Sequence, residues 1–376
     1  MSRFDRYMLS QLMMLFGFFS LILVSVYWVN RAVALFDELI SDGQSAWVFL
    51  EFTALTLPNV IRLVLPVSAF VAAVYVTNRL SSESELVVMQ ATGFSPMRLA
   101  RPVLFFGIIV GLMIAVLVHV LVPASRTKLA ERKVDIAQNI TSKFLDEGAF
   151  LHPAKGITFY IREITETGEL LDVFLSDARV PGERTNYTAE QAILVKSALG
   201  PKLLMFEGLA QTLDQRTSSL ATTRFDEYSF DVSSLSAEGS QRRPEPEAVS
   251  TIALLTADPA LRKAMRAKPG ALRYAGHERF AQSLIAVVAA LIGFAALLNG
   301  GFSRFGLWRQ IAGATALLIF VNFLVNGTAS LIDQTPRLWP LVYVPSLAGL
   351  VIAWVLLVFA GRARRVRHDL VAAVAS

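Results

Sequence analysis

Ser81-Ser82-Glu83-Ser84-Glu85-Leu86-Val87-Val88-Met89-Gln90-Ala91-Thr92-Gly93-Phe94-Ser95-Pro96 decides how this chain is laid out. The stretch has the marks of a short amphipathic helix over 82–93. Ser82 is placed to cap its amino end, and Glu85 three residues on completes a capping box. Gly93 suits the left-handed position after a last turn, and Pro96 ends the run. Leu86, Met89 and Gln90 share one stripe, so Glu83 and Glu85 are offered at the helix start. The spacing predicts about three turns. Long apolar runs flank the stretch on both sides, and a capped helix between two such runs suits gripping something soluble.

Composition places those runs in a membrane. The chain has 376 residues, of which 54% are hydrophobic and 17% charged, against roughly a quarter charged in soluble domains. Mean hydropathy is +0.51. The net charge of +5 is modest, and the basic residues mostly sit beside apolar runs, so nucleic acid is a poor partner. There is no cysteine, which excludes disulfides, thiol catalysis and cysteine-ligated metals.

Six runs have the length of membrane spans: 8–29, 54–77, 102–122, 280–298, 310–325 and 341–360. The first is too long for a signal-peptide core and is followed by no small-x-small site, so it reads as a retained span. Short-loop charge sets the orientation. Arg3 and Arg6, then Arg79, Arg98 and Arg101, then Arg304 and Arg309, and finally Arg362, Arg364, Arg365 and Arg367 mark one side. The intervening loops carry Arg31 among Asp37, Glu38, Asp42 and Glu51, and Asp333 with Arg337. Both termini and the 82–93 helix are therefore expected in the cytoplasm, and the long insert after the third span outside.

The expected organisation is membrane α-helical with an inserted β domain, α+β overall. Residues 1–124 hold spans one to three, and 125–143 a helical extension. Residues 144–233 alternate with period two, as in Ile157-Thr158-Phe159-Tyr160-Ile161. Turn signals at 166–169, 181–183 and 199–201 separate the runs. A β-sandwich or jelly roll of roughly 90 residues is expected there. Residues 234–278 form a linker and short helices, 279–361 spans four to six, and 362–376 a basic tail.

Several stretches carry a family resemblance: Asp5-Arg6-Tyr7, Leu57-Pro58 with Leu65-Pro66, Ser84 through Gly93, Glu147-Gly148-Ala149-Phe150, and His277-Glu278-Arg279. With these the chain resembles the LptF/LptG permeases of the lipopolysaccharide export system over nearly its whole length. The LptF branch is the nearer, on Ser82-Glu83-Ser84-Glu85 and the first loop. The resemblance implies the permease subunit of an ABC transporter in the bacterial inner membrane. It would pair with a paralogous LptG-like permease on a dimeric cytoplasmic LptB-like ATPase, which would hold ATP and Mg. Lipopolysaccharide would leave the inner membrane through a periplasmic jelly roll toward LptC-like and LptA-like bridge proteins.

Each candidate residue has a plainer alternative. Glu85 would be the charged contact of a coupling helix with the ATPase, or a capping glutamate serving its own helix. Glu83 is a second acid that solvent alone would explain, and Leu86 and Met89 are apolar contacts that would also serve by packing on span two. Arg31 suits a lipid A phosphate or a snorkelling anchor. Arg62, four residues before Pro66, is costly at that depth unless it faces a cavity or an ion-pair partner in a neighbouring chain. Arg126 suits a sugar phosphate or a solvated basic face. Ile157, Phe159 and Ile161 would line an acyl-chain channel, or fill a closed core. Asn322 and Asn326 suit helix–helix bonding, and Glu278-Arg279 an ion pair.

No enzyme signature appears. The chain lacks a Gly-x-x-x-x-Gly-Lys-Ser/Thr loop and a His-Glu-x-x-His pair, so neither ATP hydrolysis nor a metal is expected in this chain, and Gly300-Gly301 reads as a turn. A secondary lipid transporter would need paired ionisable groups in broken spans. A membrane-anchored scaffold with a β ectodomain would need fewer spans.

Overall fold

The structure is a computed structural model. It describes residues 2–41, 46–140, 147–152, 156–165, 168–180, 182–197, 200–214, 217–231, 244–299 and 307–375. The expected Gly300-Gly301 turn and the side chains of the basic tail lie outside the described residues. The chain divides into two compact units, one of Met1–Leu129 with Pro244–Ser376, the other of Ala130–Arg243.

The first unit is helical. Its helices are α1 (Arg3–Ser41), α2 (Ala46–Ser82), α3 (Glu85–Ala91), α4 (Pro96–Val116) and the start of α5 (Val122–Ile140). After the insert come α6 (Thr251–Thr256), α7 (Pro259–Met265), α8 (Pro269–Leu298), α9 (Trp308–Gln334) and α10 (Val344–Ala375). A π turn, Leu117–Leu121, joins α4 to α5, and a 3-10 turn, Pro336–Tyr343, precedes α10. Six segments are long and apolar enough to span a membrane: Arg3–Ala34, Ala46–Ser82, Pro96–Lys133, Pro269–Leu298, Trp308–Gln334 and Pro336–Gly361. Each expected apolar run lies inside one of them, and the helices overrun the apolar stretch at one or both ends. Pro58 and Pro66 do not break α2; in spans, packed neighbours tolerate such prolines.

Helix α8 is the axis of this unit. In its apolar window 67% of residues are buried, against 11% in α1 and in α9. Ala286, Val288, Ala290, Ile292, Phe294 and Ala295 of α8 are fully enclosed in the main core. Without a hydrophobic drive between helices in lipid, close approach must come from small residues. Gly107 and Gly111, one turn apart on α4, supply it. A Cβ on Gly107 would lie 2.9 Å from the Val287 Cα, and one on Gly111 2.9 Å from the Ser283 carbonyl oxygen. The α4 and α8 backbones are therefore in direct contact.

The second unit holds a six-stranded antiparallel sheet: β1 (Phe150–Leu151), β2 (Ile157–Ile164), β3 (Leu170–Asp177), β4 (Glu183–Ser197), β5 (Gly200–Asp214) and β6 (Ser219–Asp231). The expected β insert is thus present. Its strands pair strictly in chain order, so among the described residues the sheet is a meander. One face is apolar. Phe159 pairs with Leu175 and Ile161 with Val173, Ala192 with Met205 and Leu203 with Phe230. These residues form one buried cluster with Ile157.

Gly107→Leu will lower stability by about 1–3 kcal/mol, because a backbone has to move. Gly17→Leu, where a Cβ meets nothing within 4 Å, will stay within about 0.5 kcal/mol. Denaturant unfolding of the detergent-solubilised chain checks the contrast.

Candidate functional site

At one end of the helical unit, α3 is a short peg held on three sides. Helix α2 runs through Ser82, whose hydroxyl donates to the Asn78 carbonyl at 2.9 Å. Ser84 then turns left-handed (φ 61°) and makes no side-chain cap. The expected Ser82–Glu85 capping box therefore does not form, and α3 is seven residues rather than three turns. Ser82 is spent inside α2, and Glu85 accepts from the Tyr7 hydroxyl of α1 at 3.3 Å. Glu83 pairs with Arg79 at 2.9 Å, and Arg79 also donates to Gln11 of α1 at 3.2 Å.

The carboxyl end follows expectation. Gly93 has φ 94°, its N–H donates to the Gln90 carbonyl, and the Phe94 N–H reaches back to Met89, the two bonds of a Schellman close. Pro96 does not end this helix so much as begin the next: it is the first residue of α4, and the Ser95 hydroxyl accepts from the Arg98 N–H. Arg98 then forks onto Asp5 at 2.8 and 3.0 Å and donates to the Ser2 hydroxyl at 3.3 Å. Ser2 and Asp5 cap α1 reciprocally at 3.2 and 3.0 Å. The Arg98 guanidinium also lies 5.6 Å from the Phe94 ring, and Phe94 meets Phe4 edge-on. The loop on each side of α3 is therefore fastened to α1.

This geometry redistributes the expected contacts. Leu86 is 3% exposed and packs in the main core, with half-buried Met89 against it, so both seat the peg. The outward apolar surface is Val87, 44% exposed, and Val88, 58% exposed, beside exposed Glu83. Val87 and Val88 were hidden in the sequence because four apolar residues in five give no clear stripe. The contacts of Asp5, Tyr7 and Arg98 are not legible in the sequence, because the partners lie 78 and 93 positions apart; Asp5-Arg6-Tyr7 is visible there only as a signature.

Away from the peg, segment 245–251 is strapped across the middle of α2, the π turn, α5 and the first half of α8. Glu247 binds Arg62 of α2 and Arg126 of α5, each at 2.7 Å, and Arg126 lies 3.8 Å from Glu245. Arg279, 6% exposed, donates to the carbonyls of Pro246 and Val249 and to the Thr251 hydroxyl, at 2.9, 2.8 and 2.7 Å. The same hydroxyl meets His119 Nδ1 at 2.9 Å, on the π turn. Arg62 and Arg126 are thus both paired with Glu247 of their own chain, rather than with a neighbouring chain or with solvent alone. Glu278 and Arg279 do not pair; Glu278 meets Gln282 at 3.4 Å. Asn322 donates to its own helix, at the Leu318 carbonyl. Arg31 is exposed on α1. Ile157, Phe159 and Ile161 are 1%, 7% and 0% exposed on the apolar sheet face.

Burial pushes the Glu247 carboxyl up, but the Arg62 hydrogen bond and the charges of Arg62 and Arg126 outweigh it and hold the group below its ordinary 4.5.

Six spans, a clamped peg after the second, and a β insert after the third define a multi-pass membrane protein with a large extramembrane domain. A family model, the lipopolysaccharide export system permease LptF/LptG, matches residues 6–358, and the chain belongs to that family. It is 23% identical over 334 residues to an uncharacterized protein of Rickettsia prowazekii, covering 87% of this chain and 91% of that one. The LptF permease of Escherichia coli is 26% identical over 173 residues, 46% of either chain. The LptG permease of Haemophilus influenzae is 25% identical over 167 residues, 41% of this chain and 42% of its own. The alignments to LptF and LptG thus span less than half of those proteins. Family and spans together make this a multi-pass inner-membrane permease of lipopolysaccharide export.

The carboxylate's depressed value means its stabilisation is whole above the ordinary glutamate range and fades as pH falls through the folded value. Glu247→Gln will cost about 1–2 kcal/mol at neutral pH, a figure kept small because the Glu247 side chain is 35% exposed. As pH falls from above the ordinary glutamate range through the lowered folded value, the native chain will lose that increment and the variant will not. Unfolding midpoints across that window check it.

Proposed function

We propose that the chain is an LptF-like permease subunit of an ABC transporter that extracts lipopolysaccharide from the inner membrane and passes it to a periplasmic bridge toward the outer membrane. The observation that carries this reading is the peg: α3 offers Val87 and Val88 outward while Glu85, Arg79 and Arg98 fasten its surroundings to α1. A rigid, exposed apolar contact tied to a span transmits a push rather than absorbing it.

In this reading both termini and α3 are cytoplasmic, and the β domain is periplasmic. A dimeric LptB-like ATPase meets α3 and hydrolyses ATP with Mg, and a paralogous LptG-like permease completes the membrane portion as a heterodimer. LptC-like and LptA-like proteins receive the lipid. Glu83 and Glu85 flank the ATPase contact, and Leu86 and Met89 anchor it from beneath. Arg31, with Arg62 and Arg126, meets lipid phosphates, the last two by exchanging Glu247 for a phosphate. Ile157, Phe159 and Ile161 take over acyl chains. Each methylene left in water costs about 0.8 kcal/mol, so an apolar sheet face offsets most of the extraction penalty and nucleotide-driven closure supplies the remainder.

Val88→Asp puts a charge into an apolar contact and will weaken co-purification of the ATPase about tenfold or more. Glu85→Ala will weaken it about threefold, by loosening the peg from Tyr7. Lipid release will fall in parallel while both variants reach the membrane at native levels. Native ATPase recovery and lipid release by Val88→Asp would overturn the reading.

A further inference from the structure

A second cationic site lies at the corner where α8 begins and α9 gives way to the 3-10 turn. A cavity of about 740 Å³ opens there, lined among others by Lys268, Arg273, Gln334, Thr335, Arg337 and Trp339. Its lining carries three cations and no acid. Among the described residues, Lys268, Arg273 and Arg337 are exposed and make no ion pair or side-chain hydrogen bond. Exposed Asp333 adjoins the site without lining it. None of Arg31, Arg62 and Arg126 takes part.

The walls are fixed. Gly270 backs onto Pro336 so closely that a Cβ would sit 2.1 Å from its carbonyl oxygen. Trp339 stacks on His277 with centroids 4.4 Å apart, and His277 Nδ1 meets the Tyr343 hydroxyl at 2.9 Å. The volume lies within the usual range for a ligand site. Three unpaired cations converging on a rigid hollow suit a phosphate, which arginine holds through two hydrogen bonds at once. The hollow sits at the ends of three apolar spans, and Trp, Tyr and His bodies there mark headgroup depth. A ligand anchored by hydrocarbon fits that depth better than a soluble ion.

We propose that this corner binds the phosphate of an anionic lipid headgroup, with Lys268, Arg273 and Arg337 as its counter-ions. The assignment rests on the membrane placement of α8 to α10 and not on which lipid is exported, so its failure leaves the transport reading standing.

The test uses the full chain in phosphatidylcholine nanodiscs doped with a few mole per cent of phosphatidic acid, or with lipid A. Retained lipid is counted by native mass spectrometry, and a third arm adds inorganic phosphate instead. One of the two doped lipids will be retained over phosphatidylcholine, and the arm that binds names the source. Arg273→Gln with Arg337→Gln will reduce retention about tenfold, the loss expected from two cations near an anionic headgroup. The charge-matched control, Arg262→Gln with Lys263→Gln on exposed positions of α7, will retain the native amount, and Arg337→Lys will keep most of it. Equal retention by the Arg273/Arg337 variant, equal loss in the control, or displacement of the lipid by submillimolar inorganic phosphate would overturn the proposal.

Discussion

The fork of Arg98 onto Asp5 is the constraint on which the working end of this molecule depends. Arg98 opens α4 and Asp5 opens α1, so one bidentate contact joins two spans that are 93 positions apart in sequence. Phe94 and Phe4 close over it. Since Ser95 caps α4 through the Arg98 N–H, the same residue governs where α4 starts and where the loop before it lies. On the near side of α3, Arg79 and Glu85 repeat the arrangement through Gln11 and Tyr7. A seven-residue helix is too short to hold its own shape in water, and here it need not. Its geometry is inherited from α1, α2 and α4.

What the sequence made legible follows from the physics of each signal. The six spans were plain, because the cost of unsatisfied backbone in lipid forces long apolar helices. The β insert was plain from its period-two runs. Gly93 was placed correctly because only a left-handed residue closes that turn. The amino end of α3 departs from the capping box that the sequence suggests, because a serine hydroxyl has two local outlets, a cap or the preceding turn, and Ser82 takes the latter. Strand connectivity was not legible, since alternation states which face is buried and not which strand is next.

The charged residues show the same limit more sharply. Arg62 in a span announced a partner, but nothing in the sequence said that Glu247, 185 positions on, would be that partner. The outcome is a strap in which one carboxylate serves two arginines while Arg279 holds three groups of the same segment. Such an arrangement is costly to assemble and more costly to break on one side. It ties the segment returning from the β insert to α2, α5 and α8. In the proposed cycle, a lipid phosphate meeting Arg62 or Arg126 would compete with Glu247, so cargo and strap would be coupled by mutual exclusion.

The central claim is that α3 is a cytoplasmic peg read by a separate motor. The chain contains no cysteine, so Val88→Cys carries a single thiol and can be followed without background. A membrane-impermeant maleimide carrying a photoactivatable group, applied separately to inverted and right-side-out vesicles, tests the claim most directly. The account predicts labelling in inverted vesicles alone, and light-dependent cross-linking there to a soluble nucleotide-binding subunit. Labelling confined to right-side-out vesicles, or cross-links to lipid alone, would contradict it.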